Sequence, residues 1–403
     1  MFPVGLMQEV EMKNYLQRLA AFLGMMIALA ACAAPFGTGE TQSSNQVATA
    51  AAMTLQALAP ETVGTSTSLL PHPLYFLGRD NQSISQIYRL EQDGKTRTQL
   101  TFEPVNVDDY DISAADGSMV YVTNNQLLWI NADGSNRRLF VDGGTQPVFS
   151  PDGKRLAYAQ GGVNLYDLTT GVNSLVFQDH PTDGSMPLET YAPDTFSPDG
   201  TKLLISIGHP PDSPSTAAIY TFATNVLAQF GGTNEALTCC NFYGGAEWTA
   251  DSLSFYSVAS QIDSSYKFGE LWRVDTTSAS ATTMLSMGAG TINLPKEPYL
   301  APDGLLYFFL GSYGADSGFF DAPVLSLVRS APNGTTGRNV LRSENFVMMN
   351  EALWAPDASF VIVATNPMRS WDQGGGVLEL YPTNGQKGKV WLAPFGKQMK
   401  WGP

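Results

Sequence analysis

A five-residue turn motif recurs six times along this chain, and no other feature limits the possible folds as much. Its clearest copies are Phe149-Ser150-Pro151-Asp152-Gly153 and Phe196-Ser197-Pro198-Asp199-Gly200. Weaker copies are Ser113-Ala114-Ala115-Asp116-Gly117, Trp248-Thr249-Ala250-Asp251-Ser252, Leu300-Ala301-Pro302-Asp303-Gly304 and Trp354-Ala355-Pro356-Asp357-Ala358. The intervals from Asp to Asp are 36, 47, 52, 52 and 54 residues. In each copy an apolar residue ends one strand, Pro fixes φ, and Asp-Gly supplies tight-turn chemistry. An alternating strand follows, as at residues 154–159 (KRLAYA) and 202–207 (KLLISI).

Each copy is also followed by a second strand and turn. Residues 126–131 precede Ala132-Asp133-Gly134, residues 164–168 precede Thr169-Thr170-Gly171, and residues 377–381 precede Pro382-Thr383-Asn384-Gly385. A short last strand closes the unit, as at residues 137–141. Four antiparallel strands in a period of about 40–50 residues describe a propeller blade, so the expected class is all-β.

The two ends set the number of blades. Residues 74–77, 86–90 and 97–101 supply three strands with no motif before them. The chain finishes on Met399-Lys400-Trp401-Gly402-Pro403, a motif cut off after its Pro. The C-terminal strand is therefore expected to be the innermost strand of the first blade, which removes the open edge a ring would otherwise keep. Six blades plus this composite one make seven. Residues 71–403 divided by seven give about 48 per blade, in the observed range, against about 56 for the six-bladed alternative.

These motifs resemble the Pro-Asp repeat of the TolB family of β-propellers, over about residues 71–403. The resemblance implies a TolB-like, WD40-like propeller, and a role in envelope machinery as one function. The same kind of blade occurs in the gating domains of prolyl oligopeptidase and dipeptidyl peptidase enzymes. TolB proteins resemble a six-bladed ring behind a small α/β domain, for which this chain has no room. On this reading Asp152, Gly153, Asp199 and Gly200 are structural.

Residues 1–32 read as a secretion signal. Lys13 and Arg18 supply the positive region, and residues 19–31 form an apolar run of 13, short for a membrane span. The run ends in Leu29-Ala30-Ala31-Cys32, which resembles a bacterial lipobox and makes Cys32 the lipidation site. Residues 33–70 are rich in Ala, Thr, Ser, Gln and Gly and bury too little to fold, so they are expected to be a disordered tether. The resulting division is signal 1–32, tether 33–70 and propeller 71–403, placing the protein outside the cytoplasm as an anchored lipoprotein, periplasmic or at the cell surface.

In a four-stranded blade the motif turn and the second turn share one face. The long connections fall on the other: residues 178–190, 208–216, 231–245, 260–268, 311–322 and 366–376. Variable loops on a rigid scaffold usually carry binding residues. Those loops are aromatic and acidic, with Tyr266, Tyr313, Phe319, Phe320 and Trp371 beside Asp316 and Asp372. Rings stack on apolar faces and carboxylates accept from hydroxyls, Arg or Lys. A protein or an envelope glycan is the partner this composition suits.

Catalytic signatures are absent: there is no Gly-x-Ser-x-Gly, His-Glu-x-x-His, Walker loop or Cys-x-x-Cys. No catalytic residue, metal or cofactor is assigned. An enzymatic alternative, a glycan hydrolase or lyase at the channel mouth, would need paired carboxylates there. Asp108-Asp109-Tyr110-Asp111 lacks the spacing of a calcium loop and reads as a solvated acidic turn. Cys239-Cys240 is either a vicinal disulfide or two reduced thiols. The net charge of -15 disfavours nucleic acid and leaves the lipid anchor as the membrane contact of a monomer.

Overall fold

The computed structural model describes residues 68–180, 189–209, 213–229, 246–262, 267–286, 291–314, 324–342, 344–347, 349–365, 374–385 and 388–403. Everything described is strand, turn or irregular chain, and no helix among the described residues is long and apolar enough to cross a membrane.

Among the described residues the strands form five four-stranded antiparallel sheets and one of seven strands. In chain order the first three strands are β1 (Leu74–Arg79), β2 (Ser85–Leu90) and β3 (Arg97–Gln99). The next sheet is β4 (Val107–Ile112), β5 (Met119–Thr123), β6 (Gln126–Ile130) and β7 (Arg138–Asp142). Then come β8 (Thr145–Phe149), β9 (Arg155–Ala159), β10 (Gly162–Asp167) and β11 (Asn173–Gln178). After them lie β12 (Thr190–Phe196), β13 (Lys202–His209), β14 (Ser213–Thr221) and β15 (Val226–Gln229). β16 (Glu247–Trp248), β17 (Ser254–Ile262), β18 (Lys267–Asp275) and β19 (Ser280–Leu285) make another sheet. β20 (Thr291–Leu300), β21 (Leu306–Gly314), β22 (Ser326–Ser330) and β23 (Asn339–Val340) make the fifth. The last strands are β24 (Met349–Trp354), β25 (Phe360–Thr365), β26 (Gly376–Pro382) and β27 (Val390–Trp401).

The seven-stranded sheet runs β24-β25-β26-β27-β1-β2-β3. β27 joins its halves. Its first part pairs with β26, with Val390 opposite Leu380 and Ala393 opposite Leu378. Its last part pairs with β1, with Trp401 opposite Leu74 and Lys400 opposite Tyr75. The C-terminal strand thus flanks β1, as the truncated motif foretold. Gly402 follows it, and a Cβ there would lie 2.3 Å from the Tyr75 ring, so only glycine lets the chain end pass.

The motif turns explain themselves residue by residue. Gly153 N donates to Ser150 O and Gly200 N to Ser197 O, both at 2.8 Å, as in a β-turn with Pro at its second position. Ser150 Oγ donates to Asp152 Oδ1 and Ser197 Oγ to Asp199 Oδ1, both at 2.6 Å, and Thr249 Oγ1 repeats the contact on Asp251. The Asp199 carboxyl falls to about 2: slight burial raises it, but the Ser197 and Thr201 hydrogen bonds outweigh that. These motif residues hold the hairpin.

Each sheet buries both faces against its neighbours. In β5, Met119 and Tyr121 pack with Tyr75, Leu77 and Ile87 on one side, while Val120 and Val122 pack with Phe149, Leu156 and Tyr158 on the other. The last interface sets Ile362, Ala364 and Leu378 against Leu74, Phe76 and Leu90. Leu70, fully buried in that cluster, ties the entering chain to the first strands. Low charge and strands apolar on both faces follow from this stacking.

The acidic stretch at residues 108–111 differs from the sequence expectation. It is part of β4 and not a solvated turn: Val107 and Tyr110 are fully buried and Ile112 nearly so. A bulge between Val107 and Asp109 breaks the two-residue alternation, which hid the strand.

Candidate functional site at the inner strands

The first strand of each sheet, together with the end of β27, forms a closed circuit of contacts. Tyr110 Oη donates to Gln398 O at 2.7 Å, and Gln398 Nε2 to Asp108 O at 3.3 Å, linking β27 to β4. Phe149 N donates to Asp111 Oδ2 at 2.6 Å, linking β8 to β4. β8 packs on β12. Asp194 on β12 accepts from the Ala246 amide just before β16. Lys296 Nζ reaches Met349 O at 3.4 Å, from β20 to β24. Glu351 on β24 accepts from Gln398 N at 2.6 Å and from Met399 N, which returns the circuit to β27.

Bulges interrupt these strands at polar residues. Gln146, Glu297 and Gln398 are non-glycine residues with φ of 50°, 49° and 52°. Gln146 and Glu297 each lie six residues before a motif Asp, Asp152 and Asp303, and Gln398 occupies the same place before the truncated motif. Register shifts mark the same region of β8, β12, β20, β24 and β27. A bulge in this position re-aims one side chain per strand, and such backbone is stored strain typical of built sites.

The result is an acidic core with few cations. Lys400 Nζ sits 2.6 Å from Asp111 Oδ1. Burial pulls the Lys400 ammonium down, but Asp111, Asp109 and Glu351 together hold it above its ordinary value. Burial raises the Asp109 and Glu351 carboxyls, partly offset by Lys400 and by backbone amides. Asp194 is pushed up to about 6 by burial, and its Oδ2 is buried without a hydrogen-bond partner. Glu297 rises to about 7 through burial and the Glu351 charge, tempered by Lys296. Glu247 rises to about 8 through burial and the Glu297 charge.

Glu247 and Glu297 line a cavity of about 260 Å³ together with Pro298, Tyr299, Ala352, Leu353, Trp354, Pro356 and Trp401. Pro356 belongs to a motif turn, so this cavity lies at the motif-turn end of the inner strands. The long connections leave from the opposite end. Sequence reasoning missed this pair. The available signal was position: Glu247 lies four residues before Asp251, and Glu297 six before Asp303, on strands that lead to the centre.

Of the residues expected to bind, Tyr266, Asp316, Phe319, Phe320, Trp371 and Asp372 lie outside the described residues, as do Cys32, Cys239 and Cys240. Tyr313 falls in β21 opposite Ile292, with only its backbone described. Two of the three histidines have described side chains. His72 is exposed where the chain enters β1, and His180 Nδ1 lies 3.1 Å from Glu189 Oε2 with its ring edge-on to Tyr191. Among the described residues no group of three or more His, Cys, Asp or Glu side chains is placed to hold a metal ion.

No family model and no curated protein matches the chain. Solved structures do. An oligogalacturonate lyase in complex with manganese is similar over 80% of this chain and 85% of its own, with 13% identity and a TM-score of 0.52. The fold is a β-propeller. A prolyl endopeptidase is similar over 90% of this chain and 57% of its own, at 13% identity and TM-score 0.50. TolB from Acinetobacter baumannii is similar over 79% of each chain, at 16% identity and TM-score 0.39. At such identities the likeness concerns the propeller architecture and leaves function to this chain's own residues.

Proposed function

We propose that the protein is an envelope-anchored, non-catalytic β-propeller of seven blades, tethered through Cys32, that captures a protein or another envelope component through its loop-rich face. One observation carries this reading. In three consecutive sheets β13, β14, β17, β18 and β21 have eight or nine residues where β5, β6 and β9 have five, and the extra length lies away from the motif turns. His209 still pairs with Ser213, and Ile262 with Lys267. β20 and β21 likewise stay paired out to Thr291 opposite Gly314. These strands therefore carry the ends of three sheets further from the motif turns on a rigid paired scaffold, where connecting loops usually bind. Ring closure engages the Asp111 and Glu351 carboxylates, which supports a structural role for that part of the centre.

The test is capture from envelope extract by the full chain in detergent. Replacing Phe320 and Trp371 together with Ala should abolish capture while the melting temperature holds. Undiminished capture would remove the loop face from consideration. Cys32→Ser should move the protein out of the membrane fraction.

The enzymatic reading, a glycan hydrolase or lyase, draws on Glu247 and Glu297 as adjacent carboxylates with raised affinities for protons. Turnover of a polyuronide or glycan that vanishes in Glu247→Gln would establish it.

A further inference from the structure

We propose that the cavity at the motif-turn end is a binding site for an organic cation, an alkylammonium or guanidinium group, seated between Glu247 and Glu297 against the rings of Tyr299 and Trp401. This site is independent of the loop-rich face and of whatever that face captures.

The hydrogen-bonding character of the walls carries the argument. Tyr299 Oη donates to Pro356 O at 2.6 Å. Trp354 Nε1 donates to Glu297 O at 2.9 Å, and Trp401 Nε1 to Trp354 O at 2.8 Å. The side-chain donors of the lining are therefore all committed to backbone carbonyls. Once Glu247 and Glu297 are ionised, what the cavity still offers is acceptor oxygen from two carboxylates and aromatic surface. Neither the Glu247 nor the Glu297 carboxylate has a hydrogen bond or ion pair among the described residues. A ligand that fits must bring donors and no acceptors, which describes an ammonium or guanidinium group and excludes an anion.

The walls are also held in place. Tyr299 stacks on Trp354 with centroids 6.0 Å apart and planes 11° from parallel, and Phe360 meets the Trp401 ring edge-on. Rings so fixed bind a cation with little ordering cost. The volume of about 260 Å³ falls just below the ~300–1,000 Å³ of ordinary small-molecule sites, which suits one side-chain-sized group.

Electrostatics agree. Burial and the Glu297 charge raise Glu247, and burial and the Glu351 charge, tempered by Lys296, raise Glu297, so both hold protons that a bound cation would displace. Lys296 does not line the cavity and reaches toward Met349 O. Binding should therefore tighten as pH rises from 6 to 9 and release protons.

Calorimetry on the full chain in detergent tests this with agmatine, with a tetrapeptide carrying one internal Arg, and with uncharged n-butylurea. Expected are saturable one-to-one binding of a guanidinium probe, at least tenfold tighter at pH 9 than at pH 6, and no binding of butylurea. Preference for agmatine would point to a free amine as the natural ligand, and preference for the peptide to a protein-borne side chain. Glu247→Gln and Glu297→Gln should each weaken binding at least tenfold. Equal binding of butylurea, no heat with either cation at millimolar concentration, or undiminished binding to the double Gln variant would overturn the proposal.

Discussion

Lys400 places its ammonium 2.6 Å from the Asp111 carboxylate, joining the last strand of the chain to β4, 289 residues earlier. The same aspartate accepts from Phe149 N on β8, so one side chain ties three inner strands together. The pair is neither fully exposed nor fully buried. Its worth should fall between the ~1 kcal/mol of a surface pair and the 3–5 kcal/mol lost when one partner of a buried pair is removed, about 2 kcal/mol. Lys400→Met should lower stability by that much in urea unfolding. Adding Asp111→Asn should recover part of the loss, because the aspartate is no longer left charged and unpaired. Additive losses in the double variant would show that the two do not interact.

Truncation at Lys397 makes a larger demand. It removes the strand segment paired with β1, the Met399 side chain from the core, and both backbone amides that hold Glu351. An uncompensated buried carboxylate alone costs roughly 3–5 kcal/mol. At about 2–4 °C per kcal/mol the melting temperature should fall on the order of 10 °C or more. A truncated chain that melts with the parent would mean that β1 needs no partner on that side.

The motif glycines should separate backbone cost from crowding. Gly304 has φ of +77° with nothing within 4 Å of where a Cβ would stand, so Gly304→Ala should cost only the left-handed penalty, about 1–2 kcal/mol. Gly153 has φ of +65° and a Cβ there would meet the Ala115 Cβ at 2.4 Å. Gly153→Ala should therefore cost clearly more. Equal losses would mean that the neighbouring turn yields freely.

The contrast between these turns and the inner strands explains what was legible in the sequence. A turn writes its chemistry locally: Ser150, Asp152 and Gly153 hydrogen-bond among themselves and Ser150 to the next strand, while Pro151 fixes φ. Closure was legible too, because the final Trp401-Gly402-Pro403 repeats a local pattern. Glu247, Glu297 and Glu351 carry no such local signature. They converge only through the ring, from positions 50 and 54 residues apart, and bulges at Glu297 and beside Glu351 shift them off the strand alternation that a sequence reading counts. Asp109 was hidden in the same way, inside a run that resembles a turn.

Those acids give the protein an unusual stability profile. Glu247 at about 8, Glu297 at about 7 and Asp194 at about 6 all hold protons more tightly when folded than the ordinary values of 4.5, 4.5 and 3.8. The folded state therefore binds more protons between roughly pH 4 and pH 8, and stability must fall as pH rises through that window. On the acid side the sign reverses. Glu103, whose burial is outweighed by Arg137 and Tyr121, and Asp199, held at about 2, are depressed, so their contribution is lost as pH drops below about 4. Maximal stability should lie near pH 5, with a melting temperature several degrees higher there than at pH 8.5. Glu247→Gln removes the group that titrates highest, and should raise the melting temperature at pH 8.5 while leaving it nearly unchanged at pH 5. Thermal melts of both proteins across pH 3–9 decide the matter. A parent curve flat or rising from pH 5 to 8.5 would mean that solvent in the channel hydrates these carboxylates fully and that the inner strands do not enclose them.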